Sequence, residues 1–236
     1  MNIYQDYYGE VNLQIRRTFT EQLKTLNSKV NVLEDIVFSE EISNTLSNIE
    51  NLKSGEELNV SFPTNVSLTK SITIKPNTKV TLNLTNNEIK VDTPNIDALL
   101  IDEEATLIID GDGMIETANN GNGFPLIAQG KVIIKNGTFK SGYDENHKAN
   151  ACIYARGNGE IEIYGGRFET LNGDYVLNKK DSDRATTSIK VMGGEFVEFD
   201  PSNNKSEGPN TNFVADGYKV ETFKENGKTI YKVVKK

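Results

Sequence analysis

The chain has 236 residues, enough for one large domain or two small ones with a real core. Its 26 Lys and Arg stand against 34 Asp and Glu, a net charge of −8, and that sign argues against a nucleic-acid partner because nothing would neutralise the phosphates. One cysteine cannot close an internal disulfide, and with a single histidine it cannot build a zinc-type Cys/His site.

The opening run MNIYQDYYGEV has neither the basic nor the apolar region of a secretory signal, and no stretch approaches the ~18 apolar residues of a membrane span. Its tyrosines, Tyr4, Tyr7 and Tyr8, sit before the first helix in a segment too short to fold alone. Exposed aromatics at a terminus suit docking into a partner's groove.

Of 19 glycines only Gly9 and Gly55 precede Gly111, so the first ~50 residues lack turn-makers over a long span. Residues 11–38 read as helix. Phe19, Leu23, Leu26, Val30, Leu33 and Val37 are spaced 4, 3, 4, 3, 4, the a/d seam of a heptad repeat, with Glu21, Lys24, Lys29 and Glu34 on a solvated outer face. The stripe is narrow and no second large helical layer follows to cover it, which favours oligomerisation over an ordinary amphipathic helix. Valine at two a positions suits two or three strands alike. A second helix is expected over residues 39–53, carrying Ile42, Leu46, Ile49 and Leu52 out of the earlier register. Ser39 serves as its N-cap and Lys53-Ser54-Gly55 as its stop.

From residue 80 one pattern recurs: an alternating apolar strand, two spacers, a turn residue, and a large apolar residue two places later. It reads VTLNLTNNEI (80–89), TLIIDGDGMI (106–115, with one extra residue), VIIKNGTF (132–139), IEIYGGRF (161–168) and IKVMGGEF (189–196). The turn residues are Asn87, Gly113, Gly137, Gly166 and Gly194. The closing residues Ile89, Ile115, Phe139, Phe168 and Phe196 are 26, 24, 29 and 28 apart. Such a period signals a solenoid, because no coil buries its inward stripe alone. A second strand per coil is read at 97–101, 125–128, 151–155 and 175–178. Cys152, in ACIYA, reads as a small buried hydrophobe. The predicted fold is therefore mainly β: a single-stranded right-handed β-helix over 55–200, after an N-terminal α-helical coiled-coil stalk (1–54). A β-sandwich is the structural alternative. Residues 201–236 give a proline-containing loop and a hairpin, YKVETF and TIYKVV around Glu225-Asn226-Gly227-Lys228, expected to cap the solenoid.

The coil motifs of residues ~58–200 resemble those of pectate-lyase-like β-helix proteins, a likeness specific for fold and not for function. The run GGEFVEFDPSNN…EGPNTNFVADGYKV…NGKTIYKVV (193–234) resembles the end of phage head-fibre and related virion appendage proteins. The resemblance implies a homotrimeric structural part of a virion on the capsid surface, made in the host cytoplasm without a signal peptide and released by lysis. Tyr4, Tyr7 and Tyr8 would anchor it to the major capsid protein, and the distal β-region would face outward, toward a host cell-wall glycan. Tyr143, Tyr154, Tyr164 and Tyr175, in consecutive coils, are the candidate glycan contacts. Neither nucleic acid nor membrane is expected as a partner.

Enzyme chemistry is the competing expectation, as a tailspike-type polysaccharide depolymerase, since a glycosidase needs two carboxylates flanking one bond. The pairs available are Asp110 with Asp112, at a corner that favours Asp anyway, and Asp144 with Glu145, in a polar loop beside His147. Glu160 and Glu162 should face outward and form a charged ladder with Arg156, Arg167 and Lys190. Asp181, Asp183 and Arg184 form a charged loop. No cofactor or metal motif is present in the sequence, and the chain reads as a non-enzyme. A bacterial surface adhesin, the other rival, should carry a signal peptide or wall anchor.

Overall fold

The computed structural model describes residues 3–118, 121–142, 151–171, 175–204, 207–208 and 210–236, with side chains described from residue 10 onward. Two compact units divide the chain, Met1–Ser43 and Asn44–Lys236.

One helix, α1 (Ile3–Glu50), replaces the two expected from the sequence. The change of hydrophobic register near residue 39 does not require a break in the backbone. No proline lies in the segment, and a serine inside a helix costs only a few tenths of a kcal/mol. What changes there is the exposure of the side chains. Every side chain from Glu10 to Glu41 is exposed, whereas Ile42 and Leu46 are half-buried and Ile49 is buried. In the second unit Ile49 lines a concavity with Leu68 and Ile72 of the first coil. Lys75 Nζ donates to the Glu50 carbonyl, and Lys70 lies 3.3 Å from the Glu50 carboxylate. Cations from the coil thus meet the negative end of the helix.

The rest is a stacked parallel β-solenoid with three strands per coil. The coils run β1 (Glu57–Ser61), β2 (Val66–Ser67), β3 (Ile72–Ile74); β4 (Lys79–Asn83), β5 (Glu88–Val91), β6 (Leu99–Ile101); and β7 (Thr106–Asp110), β8 (Met114–Thr117), β9 (Leu126–Ala128). They continue with β10 (Lys131–Ile134), β11 (Thr138–Ser141), β12 (Ile153–Ala155); β13 (Glu160–Ile163), β14 (Arg167–Thr170), β15 (Leu177–Lys179); and β16 (Ser188–Val191), β17 (Glu195–Val197). Like strands stack into three sheets, ordered β1-β4-β7-β10-β13-β16, β2-β5-β8-β11-β14-β17 and β3-β6-β9-β12-β15.

Each sheet is held by a column of identical positions. Val60, Leu82, Ile109, Ile134, Ile163 and Val191 are register partners in turn along the first sheet. In the second, Val66, Ile89, Ile115, Phe139, Phe168 and Phe196 align. The three phenyl rings stack at 5.1 and 5.0 Å, nearly parallel at 7° and 12°. The column beside them is polar or small: Thr117, Ser141 and Thr170 are all buried. Thr117 Oγ1 donates to the Gly123 carbonyl at 3.0 Å, and Ser141 Oγ to that of Gly142 at 3.2 Å.

The corner between the first and second sheets departs from the sequence reading in the second and third coils. Leu82, not Leu84, is the register partner of Ile109 and so the equivalent of Ile134. Left-handed backbone falls on Asn86 (φ +61°) and Gly111 (+96°) there, and on Gly137, Gly166 and Gly194 in the later coils. Gly113 is required for a different reason: a Cβ on it would sit 1.9 Å from the Leu84 carbonyl oxygen. The longer corner makes room for Leu84, which is wholly buried.

After β17 the chain folds back on the edge of the first sheet. Val191 N–H donates to the Phe213 carbonyl at 2.8 Å, and Ala215 N–H to that of Val191 at 3.0 Å. The hairpin β18 (Tyr218–Glu225) and β19 (Lys228–Lys235) follows, with β19 antiparallel to β17. Asn226 (φ +49°) and Gly227 (+81°) both take positive φ, as a two-residue hairpin turn demands. The outer strand β18 is mostly exposed and carries Lys219, Glu221, Lys224 and Glu225, charges that discourage further pairing.

Candidate functional site

Two features stand out. The first belongs to α1. Phe19, Leu23, Leu26, Val30, Leu33 and Val37, the seam read from the sequence, are 42–62 % exposed. Val11, Leu13, Ile15, Val32, Ile36 and Phe38 are exposed with them. Burying a Leu, Val or Phe side chain stabilises by ~1.5–3 kcal/mol, so these exposed apolar residues leave a large potential stabilisation unused within the chain. Helices in proteins gain most of their stability from a covered apolar face, which residues 10–41 lack within their own chain.

The second is a cleft of about 350 Å³ where the fold-back segment meets the last corner of the solenoid, lined by Lys179, Arg184, Ser188, Lys190, Glu207 and Asn212 among others. A single 3-10 turn, Asp181–Asp183, shapes this corner. Glu207 is only 2 % exposed, and among the described residues its Oε1 has no hydrogen-bond partner. The Arg184 guanidinium bridges two carboxylates, at 2.9 Å from Asp181 and 3.6 Å from Glu207 Oε2. Burial pushes the Glu207 carboxyl up from 4.5 to about 6, against the Lys179 main chain and Arg184, which favour the anion. Lys179 is held below its ordinary value, first by burial and then by Arg184, while its Nζ donates to the Arg184 carbonyl at 2.7 Å. The sequence reading had marked Asp181, Asp183 and Arg184 as a loop cluster and missed Glu207, which lies in a segment without periodicity.

The other candidates have structural employment. Asp110 accepts from the Gly111 N–H at 2.8 Å and lies 3.7 Å from Lys135; Asp112 accepts from the Asn86 N–H at 3.0 Å. Both therefore build a corner. Asp183 accepts from Ser182 Oγ at 2.6 Å and from the Gly157 N–H at 2.7 Å, and these bonds hold its carboxyl below the usual carboxylate range. Glu160 and Glu162 do face outward, but the expected ladder is rearranged. Glu162 meets Lys131 at 3.8 Å, Arg156 donates to Gln129 at 2.7 Å, and Arg167 bridges Glu195 and Glu225. Asp144, Glu145, His147 and Tyr143 lie outside the described residues, as do the side chains of Tyr4, Tyr7 and Tyr8.

The remaining tyrosines occupy different faces. Tyr154, in β12, stacks on Phe124 at 5.2 Å. Tyr164, just past β13, is half-exposed and donates its hydroxyl to Glu162 at 3.1 Å. Tyr175 sits at positive φ (+50°) ahead of β15. Cys152 is buried, its Sγ 2.8 Å from the Glu169 carbonyl oxygen, and burial pushes the thiol up to about 12. Among the described residues no cluster of three metal-ligating side chains occurs, and no helix is long and apolar enough to cross a membrane. No family model, curated protein or solved structure matches the chain.

Proposed function

We propose that the protein is a structural appendage of a virion, a homotrimeric phage head fibre with a helical stalk and a β-solenoid shaft. The observation that carries this reading is the uncovered seam of α1, six heptad positions at 42–62 % exposure. A fibre needs such a seam to assemble, and a 48-residue helix with an exposed apolar side supplies one. Val30 and Val37 at a with Leu26 and Leu33 at d are compatible with two or three strands. The choice of three rests on the resemblance of the C-terminal run to head-fibre proteins. In this arrangement Tyr4, Tyr7 and Tyr8 anchor the bundle to the major capsid protein, and the solenoid faces the host, with Tyr154, Tyr164 and Tyr175 as glycan contacts. The resemblance of the C-terminal run to head-fibre proteins supports the same reading.

Antiserum raised against the protein, applied to particles purified from a lysate and viewed by electron microscopy, should label their heads. Particles that stay bare while the protein remains in the soluble fraction would sink the virion assignment.

The Glu207 cleft favours a second reading, a polysaccharide depolymerase. A buried carboxyl held near 6, sharing Arg184 with the Asp181 carboxylate, is the kind of pair that a general acid and its partner form. Release of reducing ends from host cell-wall polysaccharide, abolished by Glu207→Gln, would establish it; no release by the native protein removes it.

A further inference from the structure

Resting on the oligomeric reading above, we infer that the α1 seam takes further copies of this chain in parallel and in register, with Lys29 of one helix paired to Glu34 of the next. The register follows from the heptad. Leu23, Val30 and Val37 occupy a, and Phe19, Leu26 and Leu33 occupy d. Lys29, just before an a residue, is therefore at g, and Glu34, just after a d residue, is at e. In a parallel, in-register bundle each g residue faces the e residue five places on in its neighbour. Lys29 thus meets Glu34 of the next chain, and Gln22 meets Asn27, an amide against an amide. Lys29 and Glu34 are both exposed, and among the described residues neither has an ion-pair partner in its own chain.

The antiparallel alternative sets g against g and e against e. With the two seams fully overlapped, Lys29 then lies against Lys29 of the other chain, and Glu34 loses its cation. Like charges across an interface select against that arrangement. A shift of one heptad in the parallel bundle is also disfavoured. It would move Phe19 or Val37 off the apolar seam and set them against Asn12 or Asn44, which occupy the next d and a positions. The parallel bundle gathers all the N-termini at one end, as a fibre with a single attachment point requires.

The test uses the full chain. Val37→Cys should give a covalent dimer band on a non-reducing gel after mild oxidation, because in-register a positions lie within disulfide reach. In a fully overlapped antiparallel pair the two introduced thiols would be roughly 27 Å apart along the axis and could not join. The native Cys152 is buried and does not compete. Leu23→Cys provides an independent probe should the reduced Val37→Cys protein not retain the native mass in light scattering. Lys29→Glu and Glu34→Lys should each weaken assembly roughly tenfold, and the double reversal should restore it. A chain that is monomeric at every concentration refutes the oligomeric reading itself. An oligomer that forms no disulfide at either position, or in which the double reversal is as weak as the two singles combined, leaves that reading standing and overturns the parallel register.

Discussion

At the scale of single residues, burial decides the chemistry of both outlying titratable groups. Glu207 binds its proton more tightly folded than unfolded, since its carboxyl rises from 4.5 to about 6. The stabilisation from that proton is fully present below pH 4.5 and is lost as pH rises through 6, at a cost on the order of 1–2 kcal/mol. Glu207→Gln, which cannot ionise, should therefore flatten the stability profile between about pH 4.5 and 6.5 in urea titrations. A slope unchanged by the substitution would show that Glu207 is solvated in solution. Cys152 follows the same logic with the opposite utility. A thiol pushed to about 12 and wholly buried offers no thiolate at about pH 8, so a disulfide reagent should leave the native chain untouched and titrate one thiol in denaturant. Rapid native reactivity would mean that the solenoid opens there. The burial of Cys152 was legible from ACIYA. Glu207 was not, because its burial comes from the fold-back that bonds residue 213 to residue 191, a contact with no local signature.

At the scale of elements, stacking replaces the local period as the source of order. From residue 80 on, the strands of the first and third sheets were legible because of their apolar inward positions; β1 and β3 of the first coil were not read. The strands of the second sheet were not: MIET, TFKS and RFET each carry one large inward apolar residue and then a buried Thr or Ser, so only the closing residue shows in the sequence. The Thr117 and Ser141 hydroxyls are tolerated because main-chain carbonyls at the corners accept from them. The helix was legible in its seam and misread at residue 39, where a change of hydrophobic register imitated a change of element. Within the second sheet the phenyl column has the most to lose. Phe168 stacks on Phe139 and on Phe196, so Phe168→Ala should destabilise the solenoid by ~3–5 kcal/mol in chemical denaturation. Phe223→Ala, on the exposed face of the hairpin, should cost less than about 1 kcal/mol. Equal costs would mean that the column does not hold the coils.

At the scale of the whole molecule, the two units owe their order to different sources, and heating should separate them. The solenoid buries its columns within one chain, so its unfolding is unimolecular and its midpoint should not depend on protein concentration. The helix from Glu10 to Glu41 buries nothing in its own chain. In the proposed fibre its helicity comes from association, and mass action then ties its melting to concentration. Circular dichroism in the far ultraviolet should accordingly show a helical transition that moves to higher temperature as the chain is concentrated, beside a second transition that stays fixed. Leu26→Asp with Leu33→Asp places charges at two d positions of the seam. That variant should run in light scattering as a single 26.2 kDa chain, lose the concentration-dependent transition and keep the fixed one. A helical signal that melts at one temperature over a wide range of concentration would mean that α1 needs no partner. The apolar side it leaves in water would then have to be explained by something other than assembly.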